Sequence, residues 1–338
     1  MTLSAGELGE FELIERLLAR LGAPSGDVVV GPGDDAAVVR VGGATALATA
    51  DLLLEGVHFE IGLSSPSDVG WKALAVNLSD VAAMGGVPRF ALVSLGSPAA
   101  TPASTLEQIY DGLQECARTF GVSIVGGDTV RADRLIVSLA LLGEPGEAGI
   151  VTRSGARPGD SVYVTGAIGG AAAGFALLRA AADDERASAL LARYPRLADA
   201  HRRPTPRVRE GLVAARAGAH AMIDVSDGLA RDVGHICEAS RTGVTLQARA
   251  VPVADGVAEV AEWAGSDASS LAVGGGDDYE LAIAIPAEQL DALSSALGST
   301  PVARIGVIEE GHGMVLDPGD GGFVELSSLG WNHFSGEA

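Results

Sequence analysis

The chain has 338 residues, of which 47% are hydrophobic and only 4% aromatic, and it carries a formal net charge of −21 at pH 7. That length exceeds what one core usually holds and predicts two domains with cores of small aliphatic residues. The acidic balance excludes non-specific binding to nucleic acid or to anionic membrane, since both need clustered Lys and Arg.

Taken in order, Phe11, Ile14, Leu17, Leu18 and Leu21 fall at helical spacing, with Gly22 as a stop. The acidic start lacks a basic leader and predicts no signal peptide. Residues 28–30 and 36–41 read as strands around a Gly-Pro-Gly-Asp-Asp turn, and 44–50 as a strand ending at Asp51. A helix is predicted over 68–83, followed by a Gly85-Gly86 break, a strand over 90–95 and a helix over 105–120. A short strand at 122–125 leads into Gly126-Gly127-Asp128, and 135–142 is an apolar strand. The Gly- and Pro-rich stretch 144–160 predicts a boundary, giving an N-terminal domain over 1–150 and a C-terminal domain over 151–338. The apolar run 162–178 is broken by glycines and reads as strand–turn–helix, not as a membrane span. Helices follow near 206–217, 228–240, 254–264 and 287–297, and strands near 244–248, 279–285 and 302–308. Strands and helices mix without strict alternation, which predicts an α+β fold. Cys116 and Cys237 sit in helical patterns without ligand spacing and read as buried free thiols of a cytoplasmic protein.

Six motifs each place an Asp on a Gly- or Ser-rich turn: GPGDDAAVV (31–39), ATADLLLEGVHF (48–59), NLSDVAAMGG (77–86), VGGDTV (125–130), IDVSDGL (223–229) and GGGDDYEL (274–281). Taken singly, most are ordinary turn chemistry. Asp80 is harder to dismiss, because its helix is apolar around it. With 23 Lys+Arg against 44 Asp+Glu, protein cations cannot pair most carboxylates, so hard divalent ions are the natural partner. Asp224 and Asp227 bracket Ser226 before a helix, where Ser226 or Asp227 is an N-cap candidate and the turn a phosphate site. No GxxxxGK[ST] loop exists, and Lys72, the chain's one lysine, reads as part of a helix. The set therefore points to a magnesium–nucleotide site built from distant loops, with no general base in the motifs.

These motifs, together with WKALAVNLSDVAAMG, TRSGARPGD and the terminal Trp331-Asn332-His333-Phe334, occur in an order that resembles the thiamine-monophosphate kinase family. That family belongs to the aminoimidazole-ribonucleotide synthetase-like ATP-binding group. The resemblance spans nearly the whole chain. It implies a two-domain fold, with an N-terminal mixed sheet carrying helices and a C-terminal α/β layered domain. The implied activity is ATP-dependent phosphorylation of thiamine monophosphate to thiamine diphosphate with several Mg²⁺ ions, in a homodimer formed by the N-terminal sheet domain. Carried over by motif, Asp35, Thr49, Ala50, Asp51, Asp80, Asp128, Asp224 and Asp227 resemble metal ligands. Tyr110, Gly127, Asp128, Arg153 and Ser226 resemble ATP contacts, and His58, Asp277 and Trp331 substrate contacts. Two departures stand out: Ala50 replaces a residue with a side-chain oxygen, and Asp277 replaces the family's common Glu. Two alternatives stay open at this point: another ATP-using synthetase of the group, and a nucleotide-binding regulator without turnover.

Overall fold

A computed structural model describes residues 4–319 and 321–326. Two sheets organise it. The first is built from β1 (Val28–Val30), β2 (Ala37–Val41), β3 (Ala44–Leu54), β4 (Gly86–Ser97), β5 (Ser123–Arg131) and β6 (Ile136–Pro145), in the order β1-β2-β3-β6-β4-β5. The second is built from β7 (Ser161–Thr165), β8 (Ala221–Asp224), β9 (Gly243–Gln247), β10 (Leu281–Ile285), β11 (Val302–Glu309), β12 (Met314–Asp317) and β13 (Val324–Glu325), in the order β13-β12-β9-β11-β7-β10-β8. Pairing is antiparallel except for β4 with β5 and β9 with β12, so both sheets are mixed. Helices in the first half are α1 (Ala5–Leu8), α2 (Glu10–Leu18), α3 (Pro66–Ala83) and α4 (Ala103–Phe120). Those in the second are α5 (Gly170–Ala180), α6 (Glu185–Arg193), α7 (Pro195–Arg202), α8 (Val208–Arg216), α9 (Leu229–Ser240), α10 (Val257–Ala264), α11 (Ala268–Gly274) and α12 (Leu290–Leu297).

Helix α3 joins the halves. Its start is fixed by a capping box, in which the Ser65 hydroxyl accepts from the Asp68 N–H and the Asp68 carboxylate accepts from the Ser65 N–H, with Pro66 in the first turn. It is buried on nearly every side. It lies on the first sheet and on α4, and it also meets α8 and β8 of the second half. Close approach to α4 depends on two glycines. A Cβ on Gly70 would lie 1.9 Å from the Ile109 carbonyl oxygen, and one on Gly112 would lie 1.8 Å from that of Ser67. The two helices thus touch backbone to backbone, and any side chain there would force them apart.

Beneath α3 and α4, Leu74, Leu78, Val93, Ile109, Leu113, Leu139 and Leu141 form the first core. A second core gathers Val164, Ile223, Leu229, Val233, Ile236, Val244 and Ile305 under α9. Cys116 and Cys237 are free and buried, as their helical spacing predicts.

Several boundaries differ from expectation. Asp51 lies inside β3, not at its end, and Asp128 lies inside β5, not on a glycine turn. In both places cross-strand partners extend a strand through residues with poor strand propensity. Helices α6, α7 and α11 occupy stretches that the sequence reading passed over. Among the described residues, no helix is long and apolar enough to cross a membrane.

Candidate active site

A cleft of about 540 Å³ opens where α3 meets both sheets. Asp35, Thr49, Ala50, Asp51, His58, Asp80, Arg153, Asp224, Ser226, Asp227 and Asp277 all line it. They come from the loop after β1, from β3 and the segment that follows it, from α3, from the segment after β6, from the end of β8 and the turn after it, and from the loop before β10. Carboxylate oxygens of Asp35, Asp80 and Asp224 lie within 4.8 Å of one another, close enough to share a metal ion. Asp51 stands beside them, with its N–H bonded to the Asn77 side chain of α3. The Thr49 hydroxyl donates to Asp80 Oδ2 at 2.5 Å.

The charges in this cluster are not balanced by the protein. Burial pushes the Asp80 carboxyl well above the usual range, and the charges of Asp51, Asp224 and Asp35 push it further. Burial, then Asp35, raises Asp224 to about 8, and burial raises Asp51 to about 6. Arg153 is the cation bonded to the cluster. Arg153 donates Nη2 to Asp35 Oδ1 at 2.6 Å and Nε to the same oxygen at 3.2 Å. Burial still leaves the Asp35 carboxyl raised against that pull. Its other oxygen, Oδ2, is buried without a hydrogen-bond partner. Converging oxygens, raised carboxyls and an orphaned oxygen fit a hard divalent cation, which takes oxygen ligands and supplies the missing charge.

The turn before α9 behaves differently from expectation. Neither Ser226 nor Asp227 caps the helix, since the N-cap is Gly228 and makes no side-chain cap bond. Instead Asp232, one turn into α9, reaches back, and its Oδ2 accepts from the N–H groups of Ser226, Asp227 and Gly228 at 3.0–3.2 Å. Those N–H groups, expected to hold phosphate, are already satisfied by a carboxylate.

Three expected site residues lie elsewhere. Gly127 and Asp128 sit on edge strand β5, and Tyr110 is a half-exposed residue of α4. The row Leu52–Ser138–Ser94–Asp128 crosses the first sheet, so Asp128 is three strand spacings from β3, about 14 Å. It also faces the other way. Asp51 looks toward α3, whereas Asp128 shares the open face with Leu52 and Leu92. Within one chain the structure does not bring Asp128 to the carboxylate cluster. Trp331 lies outside the described residues.

At the far end of the cleft Asp277 accepts from Lys72 Nζ at 2.7 Å and from the Tyr279 hydroxyl at 2.9 Å. Burial alone would raise its carboxyl, but the Lys72 ammonium and His201 outweigh it and hold it well below the usual range. Burial, then the charge of Lys72, lowers the pKa of His201, whose ring stands 4.8 Å from that of Phe175. Sequence reasoning missed Lys72, Asp232, Phe175 and His201. Only Lys72 carried a signal, as a solitary lysine in an apolar helix.

Comparison with known proteins agrees with this geometry. The family models for AIR synthase related protein match at residues 33–144 (N-terminal domain) and 157–318 (C-terminal domain). Thiamine-monophosphate kinase of Bacillus subtilis is 35% identical, covering 97% of this chain and 100% of its own. The Escherichia coli K12 enzyme of that name is 37% identical, covering 97% and 98%. A solved structure described as AaThiL complexed with AMPPCP and TMP is 33% identical, covers 98% of this chain and 99% of its own, and superposes with a TM-score of 0.84. The hydrogenase maturation protein HypE, at 22% identity and a TM-score of 0.65, shares the fold.

Proposed function

The chain belongs to the thiamine-monophosphate kinase family within the AIR synthase related proteins, and on that premise we propose that it phosphorylates thiamine monophosphate with ATP, giving thiamine diphosphate and ADP. The observation that carries this reading is the convergence of Asp35, Asp80 and Asp224 at one end of a cleft whose other end is closed by a fixed Asp277. An oxygen of the acceptor phosphate attacks the γ-phosphorus, a new P–O bond forms, and the bond to the β-phosphate oxygen breaks. The transfer is direct and in line. The acceptor is already an anion, so no side chain has to remove a proton from it.

Asp35, Asp51, Asp80 and Asp224, with oxygens from Thr49 and the Ala50 carbonyl, would hold Mg²⁺, and Asp227 an outer ion; bound there, they would supply positive charge to the transferring group. Arg153 and Ser226 line the same end and serve the nucleotide phosphates, while Asp35 stays ion-paired to Arg153. His58 and Asp277 serve the acceptor. Gly127, Asp128 and Tyr110 lie away from the cleft of their own chain, so as ATP or metal contacts they serve the cleft of a second copy. A homodimer through the open face of the first sheet accommodates this. Leu52, Phe90, Leu92 and Leu142 are each more than 40% exposed there, an apolar face that a partner would cover. The division into 1–150 and 151–338, and residence in the cytoplasm, complete the reading.

The test is incubation with Mg–ATP and thiamine phosphate, with product followed by chromatography. Thiamine diphosphate is expected, and its absence alongside intact ATP binding would overturn the proposal. A pH experiment tests the metal site on its own. Asp51 and Asp224 have folded-state pKa values of about 6 and about 8, both above the ordinary 3.8. Raised carboxyls hold protons more tightly when folded. The stability they contribute is therefore full at low pH and is lost as pH rises through those values. Mg²⁺ replaces the departing protons, so the rise in melting temperature on adding it should be larger at pH 8 than at pH 5. Equal rises at both pH values would place the ion elsewhere.

A further inference from the structure

Lys72 is the chain's only lysine, and its side chain is 3% exposed. It stands behind the cleft wall and does not line the cleft. Its Nζ donates to Asp277 Oδ2 at 2.7 Å and to the His58 carbonyl at 3.4 Å. Asp277 and Tyr279 hold left-handed backbone angles, φ 69° and 51°, which side-chain-bearing residues adopt only when their surroundings impose them. Bonds from Asp277 N–H to the Ser226 carbonyl and from Tyr279 N–H to that of Val225 tie this loop to the segment after β8. A buried ammonium is costly unless well paired, so the placement of this lone lysine on Asp277 is tightly specified. Lys72, Val76 and Asp80 repeat at four-residue intervals and so share one face of α3, and both Val76 and Asp80 line the cleft.

Building on the function proposed above, we infer that Lys72 is a positioning residue. It holds the Asp277 carboxylate from a position about 12 Å along α3 from Asp80, so that one rigid helix sets the spacing between the phosphate end of the cleft and the end that reads the acceptor. The acceptor this selects is a phosphate monoester long enough to present an N–H donor to Asp277. In thiamine phosphate, the aminopyrimidine ring carries that donor. The thiazole phosphate half of the molecule ends short of it.

The decisive measurement compares kcat/KM for thiamine phosphate and for its thiazole phosphate half. Wild type should prefer the whole molecule strongly. Lys72→Met should raise KM for thiamine phosphate about ten-fold, with a smaller change in kcat, and should narrow the preference by a similar factor. Lys72→Arg, which keeps the charge, should retain the preference. A purely structural role would lower both substrates equally, and that result would overturn the inference. Should Lys72→Met fold poorly, Lys72→Met/Asp277→Asn removes both charges and should fold, still without the preference; a retained preference there also overturns it. Full-length protein labelled with [¹⁵N]lysine gives one side-chain ammonium signal, independent of turnover. It should move on adding thiamine phosphate and stay on adding Mg–ATP. A signal indifferent to thiamine phosphate would overturn the inference even if the kinase activity stands. Absent turnover with a responsive signal would overturn the activity alone.

Discussion

Asp80→Asn is expected to lower kcat/KM by about 10³-fold or more, a loss typical of removing preorganised charge stabilisation, and at the same time to raise the melting temperature of the metal-free protein. Both effects have one cause. Burial and three neighbouring aspartates raise the Asp80 carboxyl, so without a cation its charge is a net cost to the fold. An amide of the same shape removes that cost, and its oxygen can still accept from the Thr49 hydroxyl. The same amide withdraws one of three anionic oxygens that converge on the metal position. Activity and stability therefore move in opposite directions, as at sites where function keeps a destabilising arrangement. Steady-state kinetics and a thermal melt in chelator check the two halves. Wild-type turnover, or a lower melting temperature in chelator, would reject the shared-metal role.

Gly112→Ala is expected to destabilise the protein by about 3 kcal/mol, the upper part of the range for overpacking. The added methyl would meet the Ser67 carbonyl at 1.8 Å, and backbone on both helices leaves no flexible side chain to yield. Relief requires α3 and α4 to separate. Because α3 also carries Lys72, Asn77 and Asp80, separation should reduce activity at temperatures where the variant is still folded. A thermal melt with circular dichroism is the check, and an unchanged midpoint would show that the contact yields elsewhere.

Much of the cleft was legible in the sequence because its residues carry their own anomaly. Asp80 is a carboxylate in an apolar helix, Asp35 follows a Gly-Pro-Gly turn, and Asp224 brackets Ser226 with Asp227 before a helix, in a chain poor in cations. Such signals survive without knowledge of pairing. Asp128 shows the limit. Its Gly-Gly-Asp context reads locally as a turn, yet β4 pairs with it from Ser123 to Arg131 and extends the strand through both glycines. Pairing of that kind is a tertiary fact, and so is the face on which the side chain then stands. Asp232 was missed for another reason. The helix over 228–240 was legible, but the path of the turn before it, which brings three N–H groups to Asp232 Oδ2, is not written in local spacing. Helices α6 and α7 escaped notice because Pro195 interrupts an Arg- and Ala-rich stretch that lacks a long apolar stripe. Lys72 was visible as a singular residue, but its partner lies 205 positions away.

Asp35, Asp80 and Asp224 have a consequence for how the molecule is assembled. Asp80 rides on the helix between the halves, and Asp224 ends a strand of the second sheet. Each half can bury its own core while Asp224 is still apart from Asp35 and Asp80 and hydrated. The repulsion that Asp224 adds is felt only when the second sheet docks on α3, so that share opposes the joining of the halves and not the folding of either one. The joint between the halves is then the part of the cation-free molecule most ready to open. A ligand that bridges the three closes that joint, and the finished cleft becomes a clasp that its own cargo fastens.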